Sequence, residues 1–275
     1  MPVDVPVAAP VRAVRPAAPA ARRGPLWPLP VPVWGAGGML ALLALWEAIP
    51  ALGIVPAMLL PPPSAIPAAF AREVANGEWL RAIAASLEHY VTGLLLGSAL
   101  GAGLGVLAGA SPRADAALSW VVRVLRPIPG LAWVPFAIIW FGVSTAAATF
   151  IIVVGVFWIN FFAALSAVQA VDRDLVEVAD AFGHRGFFAR LFKIVLPAAS
   201  PGILGGLRAG LGQAWMAVVA AELFGVQGLG QRMMQASSLL ATELVVVYML
   251  TMAALYGVID WGFVKWRDRL LRWKA

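Results

Sequence analysis

Apolar runs long enough to cross a bilayer alternate along this chain with short polar breaks. They cover about Val33–Ile49, Ile83–Ala110, Leu125–Phe141, Ala146–Val168, Gly202–Phe224 and Glu243–Phe263. A helix of about 20 largely apolar residues spans the hydrocarbon core, so the pattern predicts about six transmembrane helices. A proline-rich stretch (Pro56, then Pro61, Pro62 and Pro63) follows the first run and leads into an amphipathic helix over Ser64–Asn76. The third run is interrupted by Pro127, Pro129 and Pro135, and only Gly142–Ser144 separates it from the fourth. The expected fold class is an all-α polytopic membrane protein.

Composition narrows what such a protein can do. The chain is 61% hydrophobic and 12% charged, with a net charge of +6 and no cysteine; its mean hydropathy is +0.86. Those values exclude an ordinary soluble domain. A net positive charge signals nucleic acid only on a soluble basic face, and here the basic residues flank apolar runs. Without cysteine there is no disulfide, thiolate metal site or Cys nucleophile. The two His form no cluster of metal-ligand spacing with carboxylates.

Residues 1–30 are rich in Pro and Ala, carry Arg12, Arg15, Arg22 and Arg23, and lack hydrophobic periodicity. They read as a disordered tail. A cleaved signal peptide is the competing reading, though its charged leader would be unusually long. The membrane-spanning body then covers 31–265, and 266–275 form a basic tail. Lys and Arg collect on the cytoplasmic side of membrane proteins. With the N-terminus inside, that side receives both tails, Arg113, Arg123 and Arg126, and four basic residues of segment 171–197. Only Arg72, Arg81 and Arg232 fall outside, and Arg208 lies near an inner span end. Both termini and the 171–197 loop are therefore expected in the cytoplasm.

Within the spans, Gly93, Gly97, Gly101, Gly105 and Gly109 recur at a spacing of four, and Gly202, Gly206 and Gly210 repeat the device. On a helix this makes a groove without side chains, which lets another helix approach closely in lipid. Tight packing and a surface for sliding during gating are both compatible with it. The formal GxGxxA at Gly103–Ala108 follows no strand and is discarded as a dinucleotide signal. Three polar residues inside spans are candidates for a pathway or gate: Asn160, Gln213 and Glu222. Hydrogen bonding between helices is the alternative for the amides, and anchoring of the following loop is the alternative for Glu222.

The most informative polar segment is 171–197, VDRDLVEVADAFGHRGFFARLFKIVLP, which holds eight charged residues between two spans. Leu175–Phe182 reads as a helix with acids early (Asp172, Asp174, Glu177). Gly183 and Gly186 break it, and Phe187–Val195 reads as a second helix with Arg190 and Lys193 late, ending before Leu196-Pro197. Those charges suit the helix dipoles. The product is a helix–turn–helix knuckle in water, with Phe182, Phe187 and Phe188 at its tip. Clustered exposed aromatics are anchors for a partner's pocket; a helix lying on the membrane is the alternative.

Here the chain resembles a known family, the permease subunits of bacterial ATP-binding-cassette importers. That family's loop carries Glu-Ala-Ala, three residues, Gly, nine residues, then Ile, any residue, Leu-Pro. The matching positions are Glu177, Val178, Ala179, Gly183, Ile194, Leu196 and Pro197. Val178 stands where Ala is usual, and ten residues rather than nine separate Gly183 from Ile194. Pro61-Pro-Pro-Ser-Ala-Ile, Leu125-Arg-Pro-Ile-Pro-Gly-Leu-Ala-Trp-Val-Pro, and Ala221-Glu-Leu-Phe-Gly with Gly228-Leu-Gly resemble the nitrate, taurine and sulfonate branch.

The resemblance implies a type I importer: two permease copies, a dimer of cytoplasmic ATPases and an external solute-binding protein. It implies that Glu177, Ala179, Asp180, Phe182, Gly183, Phe187, Phe188, Leu196 and Pro197 form the docking set for the ATPase. Glu177 would cap or salt-link the site, Gly183 permit the turn, and Phe187 and Phe188 fill a pocket. No G-x-x-x-x-G-K-[ST] phosphate loop occurs in the sequence, so this chain is expected to hold no cofactor, with ATP on the partner. A secondary transporter or channel is the rival; it would more often place ionisable groups near mid-membrane. A membrane enzyme would need a convergent catalytic constellation, and neither H-E-x-x-H nor G-x-S-x-G is present.

Overall fold

The computed structural model describes residues 31–183 and 186–272, with the side chains of 31–34, 173 and 180 excepted. The expectations for residues 1–30, His184, Arg185 and the Asp180 side chain lie outside what is described. The chain divides into two compact units, the first ending at Leu45 and the second starting at Trp46. Helix α1 (Val31–Ala51) carries Pro50 in its last turn, and its Met39, Leu40, Leu42 and Leu45 are exposed.

The second unit is helical throughout its regular elements. A 3₁₀ turn at Pro63–Ala65 leads into α2 (Ile66–Ala75), then α3 (Glu78–Ala110) and α4 (Pro112–Leu125). After a second 3₁₀ turn, Gly130–Trp133, come α5 (Val134–Phe141), α6 (Thr145–Gln169) and α7 (Arg173–Ala181). A four-residue α8 (Phe187–Arg190), a π turn (Leu191–Val195) and α9 (Leu196–Leu223) form one helical run, followed by α10 (Leu229–Ser238) and α11 (Thr242–Leu270).

Among the described residues four helical runs are long and apolar enough to cross a membrane: α3, α6, Phe187–Leu223 and α11. The pair Pro112–Leu125 and Gly130–Phe141, bent by 81°, makes a fifth if counted as one span; Gly35–Ala51 is apolar but shorter. The third run expected from hydropathy, Leu125–Phe141, is thus corrected to a sharp bend. Pro127 and Pro129 cannot donate an amide bond and crowd the preceding turn, so the helix stops at Leu125 and restarts in the 3₁₀ turn. The Arg126 guanidinium lies 4.4 Å from the centre of the Phe162 ring, which ties the bend to α6.

The core of this unit is three helices held at close range by glycine. Gly93 faces Ile152, Gly97 Val156, Gly101 Asn160, Gly105 Ala164 and Gly109 Val168, so α3 and α6 run parallel in a fixed register. A Cβ at Gly101 or Gly105 would strike the carbonyl oxygen of Phe157 or Phe161. Gly202 faces Ala167, Gly206 Ala163 and Gly210 Asn160, so α9 packs antiparallel on α6, on a face that adjoins the one α3 occupies. In lipid no hydrophobic force draws helices together, and such dense contact supplies the cohesion.

Gly105→Ala is expected to destabilise the protein by about 1–3 kcal/mol through overpacking against backbone that cannot yield. Gly103, two residues away, faces open space. Gly103→Ala should be neutral or stabilising by about 0.5–1 kcal/mol, because alanine is the better helix former. Thermal unfolding of the purified protein in one detergent compares the two.

Candidate functional site

The polar segment 171–197 forms a two-limbed knuckle at the end where α3 and α6 finish. Asp172 Oδ1 accepts the Asp174 N–H at 3.0 Å and starts α7, in the manner of an N-cap. Gly183 ends the first limb at φ +86°, a left-handed backbone that disfavours any side chain. Among the described side chains of α7, Ala179 is the buried one, at 5% exposure, whereas Glu177 and Val178 face outward. The residue that departs from the usual Glu-Ala-Ala pattern, Val178, is therefore on the surface.

The second limb was expected to end before Leu196-Pro197; instead it runs unbroken into α9. The Leu196 N–H reaches back to the Leu191 carbonyl, one residue further than in an α-helix. The wider turn precedes Pro197, which lacks an N–H and would crowd the preceding carbonyl of a regular helix. Phe182 and Phe188 are 79% and 72% exposed, and Phe187 and Phe192 also stand outside. The Phe188 and Phe192 rings stack 6.5 Å apart. Beneath the second limb a cleft of ≈ 460 Å³ is lined by Gly109, Val168, Val176, Phe187 and Leu191, among others.

The candidate pathway residues lie away from the knuckle. Asn160 is 2% exposed; its Nδ2 donates to Ser98 Oγ at 2.9 Å, between Gly101 of α3 and Gly210 of α9. Gln213 is half-buried and lies beside Gly155, whose Cα also meets the 3₁₀ turn at Gly130. Glu222 is fully buried. Its Oε2 accepts the Gly230 N–H at 2.7 Å, so the carboxylate meets the first turn of α10, where helix N–H groups lack partners. Gly228 is required there, because a Cβ would run into the Glu222 carboxyl. Ser86 Oγ accepts the Leu229 N–H at 2.9 Å, and His89 Nε2 lies 2.9 Å from the Gln227 carbonyl. Three side chains thus hold segment 227–230.

A second polar assembly, missed in the sequence, sits at the opposite end, where α3 begins. Buried Glu73 of α2 receives hydrogen bonds from Tyr248 of α11, from Arg232 Nη2 of α10 at 3.2 Å and from Asn76 at 3.4 Å. Arg232 also approaches Glu78 at 3.9 Å. Burial pushes the Glu73 carboxyl up, but the hydrogen bonds from Tyr248, Arg232 and Asn76 and the Arg232 charge outweigh it and leave it lowered. Nothing in the sequence marked these partners, which lie 159 and 175 residues from Glu73. Elsewhere Arg208 and Asp260 clasp α9 to α11 with two hydrogen bonds of 2.9 and 2.8 Å.

Comparison with known proteins adds a third line of observation. The family model described as "Binding-protein-dependent transport system inner membrane component" matches residues 101–271. The putative aliphatic sulfonates transport permease protein SsuC of Bacillus subtilis (strain 168) is 34% identical, over 85% of this chain and 84% of its own. The taurine transport system permease protein TauC of Escherichia coli (strain K12) is 30% identical, over 90% and 92%. A chain of the inward-facing MetNI methionine ABC transporter superposes with a TM-score of 0.60 at 21% identity, covering 72% of this chain and 96% of its own.

Because the folded Glu73 carboxyl titrates below its ordinary value of 4.5, its stabilising effect is complete above that value and is lost as pH falls through the lowered one. Thermal unfolding across pH 3–6 (roughly the span over which carboxylates titrate) should show this acid limb. Glu73→Gln should flatten it and lower the stability at neutral pH.

Proposed function

The chain belongs to the binding-protein-dependent inner membrane components of transport systems, and on that premise we propose how it couples to a motor and what it carries. It is a transport subunit of an ATP-driven importer, with hydrolysis on a separate chain. The knuckle of α7 and α8 is the cytoplasmic handle that seats in the ATPase. The observation that carries this reading is the knuckle surface itself: Phe182, Phe187, Phe188 and Phe192 exposed on a polar segment between two spans. In water such a surface is costly unless something covers it, and a partner's groove covers it without burying the charges of 171–197.

In this reading both termini lie in the cytoplasm, the Glu73–Arg232–Tyr248 assembly faces the outside where the binding protein arrives, and two copies enclose the pathway. ATP binding draws the two knuckles together, and the glycine-packed α3, α6 and α9 carry that movement as one body. Moving a two-state pathway from 1:99 to 99:1 takes about 5.5 kcal/mol of differential binding, more than one exposed ion pair supplies. A broad aromatic contact supplies it. The cargo is a small anion of the sulfonate, taurine or nitrate type; the similarity to sulfonate and taurine transport permeases supports this.

Gly183→Val, which strains a left-handed backbone, and Phe188→Ala are each expected to abolish uptake. Both proteins should still reach the membrane, and ATP hydrolysis should no longer respond to loaded binding protein. Paired uptake and hydrolysis assays in proteoliposomes measure this, and normal coupled transport in both variants refutes the assignment.

A further inference from the structure

The join between the knuckle and α9 carries one residue more than an α-helix has room for. Segment Leu191–Val195 is a π turn, in which the backbone bond spans five residues instead of four and one residue is taken up without advancing the helix. The sequence shows the same surplus independently, since ten residues stand between Gly183 and Ile194 where the resembled pattern has nine.

The directions of the side chains show what the surplus does. An α-helix turns about 100° per residue. Counted that way, Leu191 would point about 80° away from Ala199 and about 100° away from Gly210. Yet all three are buried, and Gly210 faces Asn160 on α6. Taking one residue out of the count subtracts about 100° and brings Leu191 to within about 20° of both. The π turn therefore puts Leu191 on the buried face of α9, while Phe188 and Phe192 are left outside as a stacked pair.

We infer that the π turn at Leu191–Val195 is a register corrector: it absorbs the additional residue of the coupling loop and so keeps the aromatic face of the knuckle turned towards the ATPase. The inference rests on the docking role proposed above and identifies which residues the partner meets. Without the correction, the second limb would be rotated by about 100° relative to α9. Phe188 and Phe192 would be turned off the docking face and Leu191 driven into water.

The test reads labelling in membranes stripped of ATPase and uptake in the assembled transporter, and it exploits the absence of native cysteine. Leu191→Cys and Phe188→Cys are placed singly in three backgrounds: Lys193→Ala, deletion of Lys193, and deletion of both Phe192 and Lys193. Lys193→Ala controls for the lost side chain. Deleting Lys193 removes the surplus, so the turn becomes α-helical. Maleimide should still react at position 188 and spare position 191, and uptake by the cysteine-free single deletion should match Lys193→Ala. The double deletion has no surplus left to absorb the change; position 191 should become reactive and uptake should be lost. Reactivity at 191 in the single deletion, loss of uptake there alone, or a double deletion indistinguishable from the single, each overturns the inference. A failure of docking itself reads differently: the labelling pattern stays as expected, but added ATPase does not shield Phe188→Cys.

Discussion

The approach of α3 to α6 along a column of glycines is the constraint on which the rest of this structure depends. A Cβ on Gly101 or Gly105 would collide with main-chain oxygen of α6, and main chain inside a helix has nowhere to move. Because lipid offers helices no hydrophobic reward for associating, cohesion comes from contact density, and density comes from absent side chains. Asn160 adds a buried polar tie inside this contact, to Ser98, at the level where Gly101 and Gly210 leave space for an amide. The outcome is a three-helix frame with a fixed register rather than three independent spans.

A frame of that kind turns a local push into a movement of the whole. The knuckle is continuous with α9 through the π turn, and α9 is packed against α6 by Gly202, Gly206 and Gly210. In the proposed coupling, displacement of the aromatic tip is carried into the membrane instead of being lost in a loop. At the far end, Glu73, Arg232 and Tyr248 join α2, α10 and α11, while Glu222 holds the start of α10 from inside α9. In the proposed orientation, both ends of the frame are connected to the helices that a binding protein or an ATPase would touch.

Much of this was visible in the order of residues. A glycine spacing of four, an interior polar segment and a helix-breaking Gly183 between aromatics are local patterns, and local patterns can be read directly. The bend after Leu125 was harder, because Ile128, Leu131 and Ala132 keep hydropathy high while Pro127 and Pro129 break the helix; average polarity does not report direction. The Glu73 assembly was illegible, since its partners meet only after α2, α10 and α11 have packed. For Asn160, Gln213 and Glu222, polarity inside a span marked them without saying which neighbour they face. The π turn was foreshadowed by a single surplus residue, but its position depended on Pro197 and on which face of α9 is buried.

The central claim is that the knuckle is a water-facing handle gripped by the ATPase. The most direct measurement is reaction of a single Phe188→Cys with a membrane-impermeant maleimide, in intact cells and in inverted vesicles with and without ATPase. The account predicts no labelling from outside intact cells, ready labelling in inverted vesicles stripped of ATPase, and protection when ATPase is restored. Labelling of intact cells, or identical labelling with and without the ATPase, would contradict it.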